Sequence, residues 1–146
     1  MPSSQLFGPV ASDFTAINEL IESSLHSRVP LVAEIAAYLV QAGGKRLRPL
    51  LVLLAARSCG DSSQNPVKLA VAIEFLHTAM LLHDDVVDES TLRRGRRTAN
   101  AEWGNAASVL VGDFLHSRAF ELMVELGCID VMALISKATN GIAEGE

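Results

Sequence analysis

Glu74-Phe75-Leu76-His77-Thr78-Ala79-Met80-Leu81-Leu82-His83-Asp84-Asp85-Val86-Val87-Asp88-Glu89 is the stretch on which the architecture of this chain turns. It is apolar for most of its length and acidic at its end. Asn65-Pro66, a cap and first-turn pair, stands ahead of it, so the whole predicts a long helix running toward Asp88. On a helix Asp84 and Asp88 are i and i+4 and share a face, while Asp85 lies about 100° round and leans toward the same ligand. Like charges so spaced repel by a few tenths of a kcal/mol, and acidic groups at a helix C-terminus oppose its dipole. A hard cation bridging the carboxylates reverses both costs. Magnesium takes oxygen ligands, usually one or two carboxylates with phosphate and water. Taken alone, Asp-Asp-x-x-Asp is more often a solvated acidic helix end.

Similar punctuation recurs along the chain. Ser12 or Asp13 caps a segment to about Ser24, with Phe14, Ile17, Leu20 and Ile21 on one face. Pro30 suits a first helical position, Leu31 to Ala42 follow, and Gly43-Gly44 stops that helix. Pro49 opens a third helix, which Gly60 ends. Ser90 to Arg97 reads as a polar, basic loop. Thr98 caps a short helix through Trp103, Gly104-Asn105 breaks it, and Ala106 to Leu126 forms a long helix ended by Gly127. Asp130 caps the last one, which Gly141 ends. No strand-pair or hairpin signal stands out. The expected fold is all-α, with seven or so helices.

Bulk composition agrees. The 146 residues suit one domain, and 49% are hydrophobic, 20% charged and only 5% aromatic. That apolar content, mostly Leu, Ala, Val and Ile, fits packed helices better than a β-sandwich. A net charge of −5 argues against binding nucleic acid, which needs a basic surface. Positive charge is concentrated in Lys45–Arg48 and Arg93–Arg97, as expected for a small anionic ligand. Cys59 and Cys128 share no metal spacing and read as reduced, partly buried thiols in a cytoplasm. Met1–Gly8 lacks the basic and apolar regions of a secretory signal. Leu50–Ala56 and Ala79–Leu82 fall short of the roughly 18–20 apolar residues that span a bilayer, so no transmembrane segment is expected.

The basic clusters sharpen the reading of the acidic one. Gly43-Gly44-Lys45-Arg46-Leu47-Arg48-Pro49 sets two glycines before three cations and a helix start. Arg48 holds a diphosphate through its fork and Lys45 as a point charge. Arg93-Arg94-Gly95-Arg96-Arg97 follows Asp88 by only a few residues. The plainer alternatives are a solvated basic helix stop and an exposed loop neutralising nearby acids. Carboxylates, a metal-bound diphosphate and arginine clamps together suit the ionisation of a phosphate ester.

This combination resembles the trans-isoprenyl diphosphate synthase family, specifically its polyprenyl, octaprenyl-type branch. The resemblance rests on Gly43–Pro49, on Glu74-Phe75-Leu76-His77-Thr78, on Asp84–Asp88 and on Arg93-Arg94-Gly95. It continues through Thr98-Ala99-Asn100 and Val111-Gly112-Asp113-Phe114-Leu115, and covers roughly residues 10 to 146. It implies an isoprenoid synthase-type helical bundle. It also implies a Mg2+-dependent prenyltransferase that condenses isopentenyl diphosphate with an allylic diphosphate such as farnesyl diphosphate. Asp84, Asp85 and Asp88 would bind the metal and Arg93 the allylic diphosphate. Lys45, Arg48, His77 and Arg94, with Gly44 in the same loop, would form the isopentenyl diphosphate site, and Arg46 would assist. Leu76, Ala79 and Met80 would set product length. Small Ala79 and flexible Met80 imply a long product of the kind used for quinone side chains. A homodimer, with Ala106–Leu126 at its interface, is the family's usual state.

The family pattern includes a second aspartate-rich motif in a later half, and no such motif follows Asp113. Residues 1–146 are therefore expected to be the N-terminal portion of a single polyprenyl synthase domain, with little activity alone. Two other readings compete. One is a non-catalytic accessory subunit of a heteromeric synthase. The other is an HD-type metal phosphohydrolase using His77, His83 and Asp84, in which the basic clusters have no role.

Overall fold

The structure, a computed structural model, describes residues 8–42 and 44–145. A short 3-10 turn, Gly8–Val10, leads into α1 (Ala11–Ser24), α2 (Pro30–Gln41), α3 (Leu47–Ser58) and α4 (Asn65–Val87). A two-residue hairpin, β1 (Leu92–Arg93) and β2 (Arg96–Arg97), precedes α5 (Ala99–Trp103), α6 (Asn105–Leu126) and α7 (Ile129–Ala143). The all-α expectation holds among the described residues, with the hairpin as its one departure.

α4 is the central helix. It packs most extensively against α6, and also against α3 and α1. Val67, Ala70, Val71, Ala72, Phe75, Leu76, Ala79 and Leu82 are all buried, so it is covered on several sides rather than along one stripe. By length and composition alone its 23 residues would pass for a membrane-crossing helix, a longer apolar run than either stretch singled out in the sequence. Half of that apolar window lies inside the fold, as befits a core helix. Ile17, Ile21, Ile35, Leu53, Val111, Leu115 and Met123 complete the core around it.

Several expected boundaries hold for the reasons the residues suggest. Pro30 is in the first turn of α2. Thr98 caps α5, its hydroxyl accepting from the Ala101 amide. Gly127 ends α6 at φ 64°, and Gly60 follows α3 at φ 84°. Others move. α1 begins at Ala11, so neither Ser12 nor Asp13 is its cap. The Asp13 carboxylate instead pairs with Arg57 of α3 at 2.7 Å. α3 begins at Leu47, two residues before Pro49, because Arg46 takes the left-handed conformation (φ 53°) and sets the turn itself. α7 starts at Ile129 with Asp130 inside its first turn, and it runs through Gly141 to Ala143. A lone glycine lowers helix stability by about 1 kcal/mol without ending the helix. Gly43 lies outside the described residues, and α2 ends at Gln41. Cys59 and Cys128 are free but exposed, not partly buried.

The stretch read as a loop folds back at Arg94-Gly95. Both residues have positive φ, 52° and 76°, which is the two-residue turn that matches strand twist. Leu92 pairs with Arg97, and Arg93 with Arg96.

Candidate active site

A cavity of about 610 Å3 opens between the end of α2, the Gly44–Arg48 segment, the later half of α4 and the hairpin. Lys45, Arg46, Arg48, Arg93 and Arg94 line it together with Gly44, His77 and Asp85. The two basic clusters, some 45 residues apart in sequence, thus converge on one face of α4. On that face His77, Leu81 and Asp85 succeed each other at four-residue intervals.

The clusters touch. The Arg94 guanidinium lies where a Cβ on Gly44 would sit, its Cζ 2.9 Å from that position. Arg93 reaches down to Asp85, Nη2 to Oδ1 at 2.7 Å and Nε to the two carboxylate oxygens at 3.1 and 3.2 Å. Asp85 is buried, its side chain only 7% exposed, so this pair has little water to compete with it. The Asp85 carboxylate, with Asp84 and Asp88 nearby, raises the already high pKa of Arg93. His77 is displaced the other way. Burial, then the positive field of Arg48, Arg94 and Arg93, holds its imidazole below the ordinary 6.5. It stands neutral at neutral pH, able to donate to an anion from one nitrogen.

Not every expected residue joins the cavity. Asp84 and Asp88 are exposed beside its rim, and among the described residues no three acidic, histidine or cysteine side chains are gathered around one point. The donor set still suits a hard cation. Asp84 and Asp88 offer oxygen only, one turn apart and open to solvent, while Asp85 is shared with Arg93. Arg46 does line the cavity, but its guanidinium is given to the Val40 carbonyl (3.2 Å), at the end of α2. Leu76 and Ala79 are buried and Met80 is half-buried, and none lines the cavity. Ala79 and Leu76 stand one and two turns before His83, on its stripe of α4. His83 packs on Gly112 of α6 and lies 3.2 Å from the Val109 carbonyl.

Residues outside the sequence-based set also shape the site. Tyr38, Glu74, Arg96 and Arg97 line the cavity. Asn100 and Thr98 both donate to the Ser90 carbonyl (2.9 and 2.8 Å), fixing the link between the acidic end of α4 and the hairpin. The Ser90 amide in turn donates to Asp85 O at 2.9 Å. Thr98-Ala99-Asn100 was legible as a motif, whereas Tyr38, on an apolar helix, carried no signal separating it from a core aromatic.

An all-helical fold that gathers Lys45, Arg48, Arg93 and Arg94 around one cavity, with carboxylates at its rim, defines the isoprenoid synthase class. Within it the chain belongs to the polyprenyl synthetase family, whose model matches residues 29–146. It is 54% identical over 134 residues to an octaprenyl diphosphate synthase of Haemophilus influenzae, a match covering 92% of this chain and 41% of that protein. It is 52% identical to an all-trans-nonaprenyl-diphosphate synthase (geranyl-diphosphate specific) of Rhodobacter capsulatus, covering 97% of this chain and 44% of that one. The crystal structure of a decaprenyl diphosphate synthase from Rhodobacter capsulatus superposes with a TM-score of 0.94 at 50% identity, over 99% of this chain and 45% of that one. A polyprenyl synthase from Caulobacter crescentus, complexed with calcium and isoprenyl diphosphate, gives 0.93 at 48% identity, over 98% and 44%. The chain therefore spans less than half the length of these relatives.

Proposed function

We propose that the chain serves a trans-polyprenyl diphosphate synthase, condensing isopentenyl diphosphate with an allylic diphosphate into a long-chain product for quinone side chains. The observation that carries this reading is the convergence of Lys45, Arg48, His77, Arg93 and Arg94 on one cavity beside Asp84, Asp85 and Asp88. The relatives' names support a long product.

In this reading Lys45, Arg48, Arg94 and neutral His77 grip the isopentenyl diphosphate. Arg93 takes the allylic diphosphate, held by Asp85 until the substrate competes for it. Asp84 and Asp88, with Asp85, would hold Mg2+, which supplies positive charge against the departing diphosphate. The allylic C–O bond ionises, the isopentenyl double bond attacks the allylic carbon, and a proton leaves to the released diphosphate. The protein's part is positioning and charge stabilisation. The apolar side of the cavity, Leu39, Leu81 and Leu82, helps exclude water that would quench the cation. Ala79, Leu76 and Met80, which stand on α4 off the cavity, act on product length, the small Ala79 presenting the least bulk of the three. The working form is a cytoplasmic homodimer with α6 at its interface. Residues 1–146 form the N-terminal portion of the synthase domain and turn over little substrate on their own.

The complete native gene product, given farnesyl diphosphate, labelled isopentenyl diphosphate and Mg2+, should yield a long prenyl diphosphate. A product that stops at one addition would remove the chain-length reading. No incorporation by a folded protein would move the weight to an accessory subunit, active only on mixing with a second chain.

A further inference from the structure

The hairpin places like charges face to face. Arg93 and Arg96 are directly paired across β1 and β2, a juxtaposition that by itself destabilises a ladder. Two groups draw the charges apart. Asp85 takes Arg93 (2.7 Å). The ring of Tyr38, on α2, takes Arg96, whose guanidinium carbon stands 4.4 Å from the ring centroid. Tyr38 does more than this. Its hydroxyl donates to the Arg97 carbonyl at 3.0 Å, across 59 residues of sequence. Its ring meets Trp103 of α5 edge-on, centroids 4.9 Å apart and planes at 75°. The Arg97 guanidinium is held separately, by Glu102 (3.0 Å) and by the Ala101 carbonyl (2.8 Å). One side chain from α2 thus fastens the second strand by its backbone and by its cation. The first strand, paired with the second and held through Arg93 by Asp85, and the turn then present Arg93 and Arg94 to the cavity.

We propose that Tyr38 is a positioning residue that seats the arginine hairpin, so that Arg93 and Arg94 stand at the anion site without Tyr38 itself touching the reacting atoms. Its effect on ligand binding rests on the anion-site reading given under Proposed function, whereas its effect on the hairpin does not.

The test uses the full chain, Tyr38→Phe, which removes only the hydroxyl, and Tyr38→Leu, which also removes the aromatic face. The first readout needs no ligand. The Nε–H of Arg93, bonded to Asp85, should give a resolved, slowly exchanging arginine signal in 15N NMR spectra. That signal should persist in Tyr38→Phe with faster exchange, and be lost in Tyr38→Leu. The second readout is calorimetric binding of inorganic pyrophosphate with Mg2+. Affinity should fall about twofold in Tyr38→Phe and about fivefold in Tyr38→Leu, the size expected from losing one exposed hydrogen bond and one cation–π contact. An Arg93 signal and an affinity unchanged in both variants would overturn the proposal. A merely structural Tyr38 would lower the melting temperature of Tyr38→Leu yet leave the Arg93 signal of the folded protein intact, which also overturns it. If the unaltered chain fails to bind pyrophosphate while its Arg93 signal still depends on Tyr38, the seating role stands and the anion-site reading falls.

Discussion

Gly44→Ala should separate binding from stability. The added methyl would occupy the place of the Arg94 guanidinium, 2.9 Å from its Cζ and 3.4 Å from Nη2. The obstacle is the far end of a flexible side chain, so Arg94 swings out and the backbone stays. Gly44 is not among the glycines with positive φ, so alanine meets no conformational strain there. Replacing glycine at such a position stabilises by about 0.4–1 kcal/mol through the unfolded chain. For a chain of this size that is a melting temperature unchanged or raised by roughly 1–4 °C. The anion site responds in the opposite sense. Losing one charge-assisted hydrogen bond, worth about 1.5–3 kcal/mol, should weaken pyrophosphate binding about tenfold or more. Differential scanning calorimetry and titration calorimetry on the same preparation read both numbers. Pyrophosphate affinity equal to that of the unaltered chain would refute the placement of Arg94 at the ligand. A melting temperature lowered by several degrees would refute the claim that Gly44 serves the site rather than the fold.

Asp85→Asn should leave Arg93 with a neutral partner and cost about 1–2 kcal/mol in urea unfolding, well below a fully buried pair because Arg93 is partly solvated. It should also weaken Mg2+-dependent pyrophosphate binding, and unchanged binding would detach Asp85 from the metal role. Ala79→Phe overfills a buried position, so the melting temperature should drop by an amount equivalent to about 1–3 kcal/mol, and the native gene product should make shorter chains. An unchanged product length would end the proposed role of Ala79. His77 should titrate in NMR below 6.5, because burial and Arg48, Arg94 and Arg93 disfavour its charged form. The unfolded chain then takes up the proton first, so this residue's contribution to stability is full above pH 6.5 and declines as the pH falls through that value. Pyrophosphate, by offsetting the arginines, should raise the midpoint. A midpoint at or above 6.5 in the free chain would contradict the structure.

The parts of the fold legible in the sequence were those one residue decides. Gly127 and Gly60 terminate helices because they supply a left-handed residue, and Thr98 starts one because its hydroxyl reaches an amide. Boundaries that depend on distant partners were not legible. Asp13 looked like a cap, but Arg57 claims its carboxylate from another helix. The hairpin was hidden because arginine is a poor residue for a left-handed turn position, and what holds it there, Tyr38 and Asp85, comes from α2 and α4. The cationic residues of the site were readable as clusters. That both clusters meet on one face of α4 belongs to the packing of α3 on α4 and of α2 on α6. The orientation of Asp85 toward Arg93, and of Arg46 toward the Val40 carbonyl, likewise depends on partners that spacing does not specify.

Arg94 sits at φ 52°, a conformation in which asparagine or glycine would be at ease and a long side chain is not. Strain of this kind is commonly about 1 kcal/mol or more. Engineering that installs Asn or Gly at this turn to relieve the backbone should therefore yield a more heat-resistant protein and, in the same stroke, a poorer ligand binder. The turn is a place where optimising for robustness and optimising for turnover point to different amino acids.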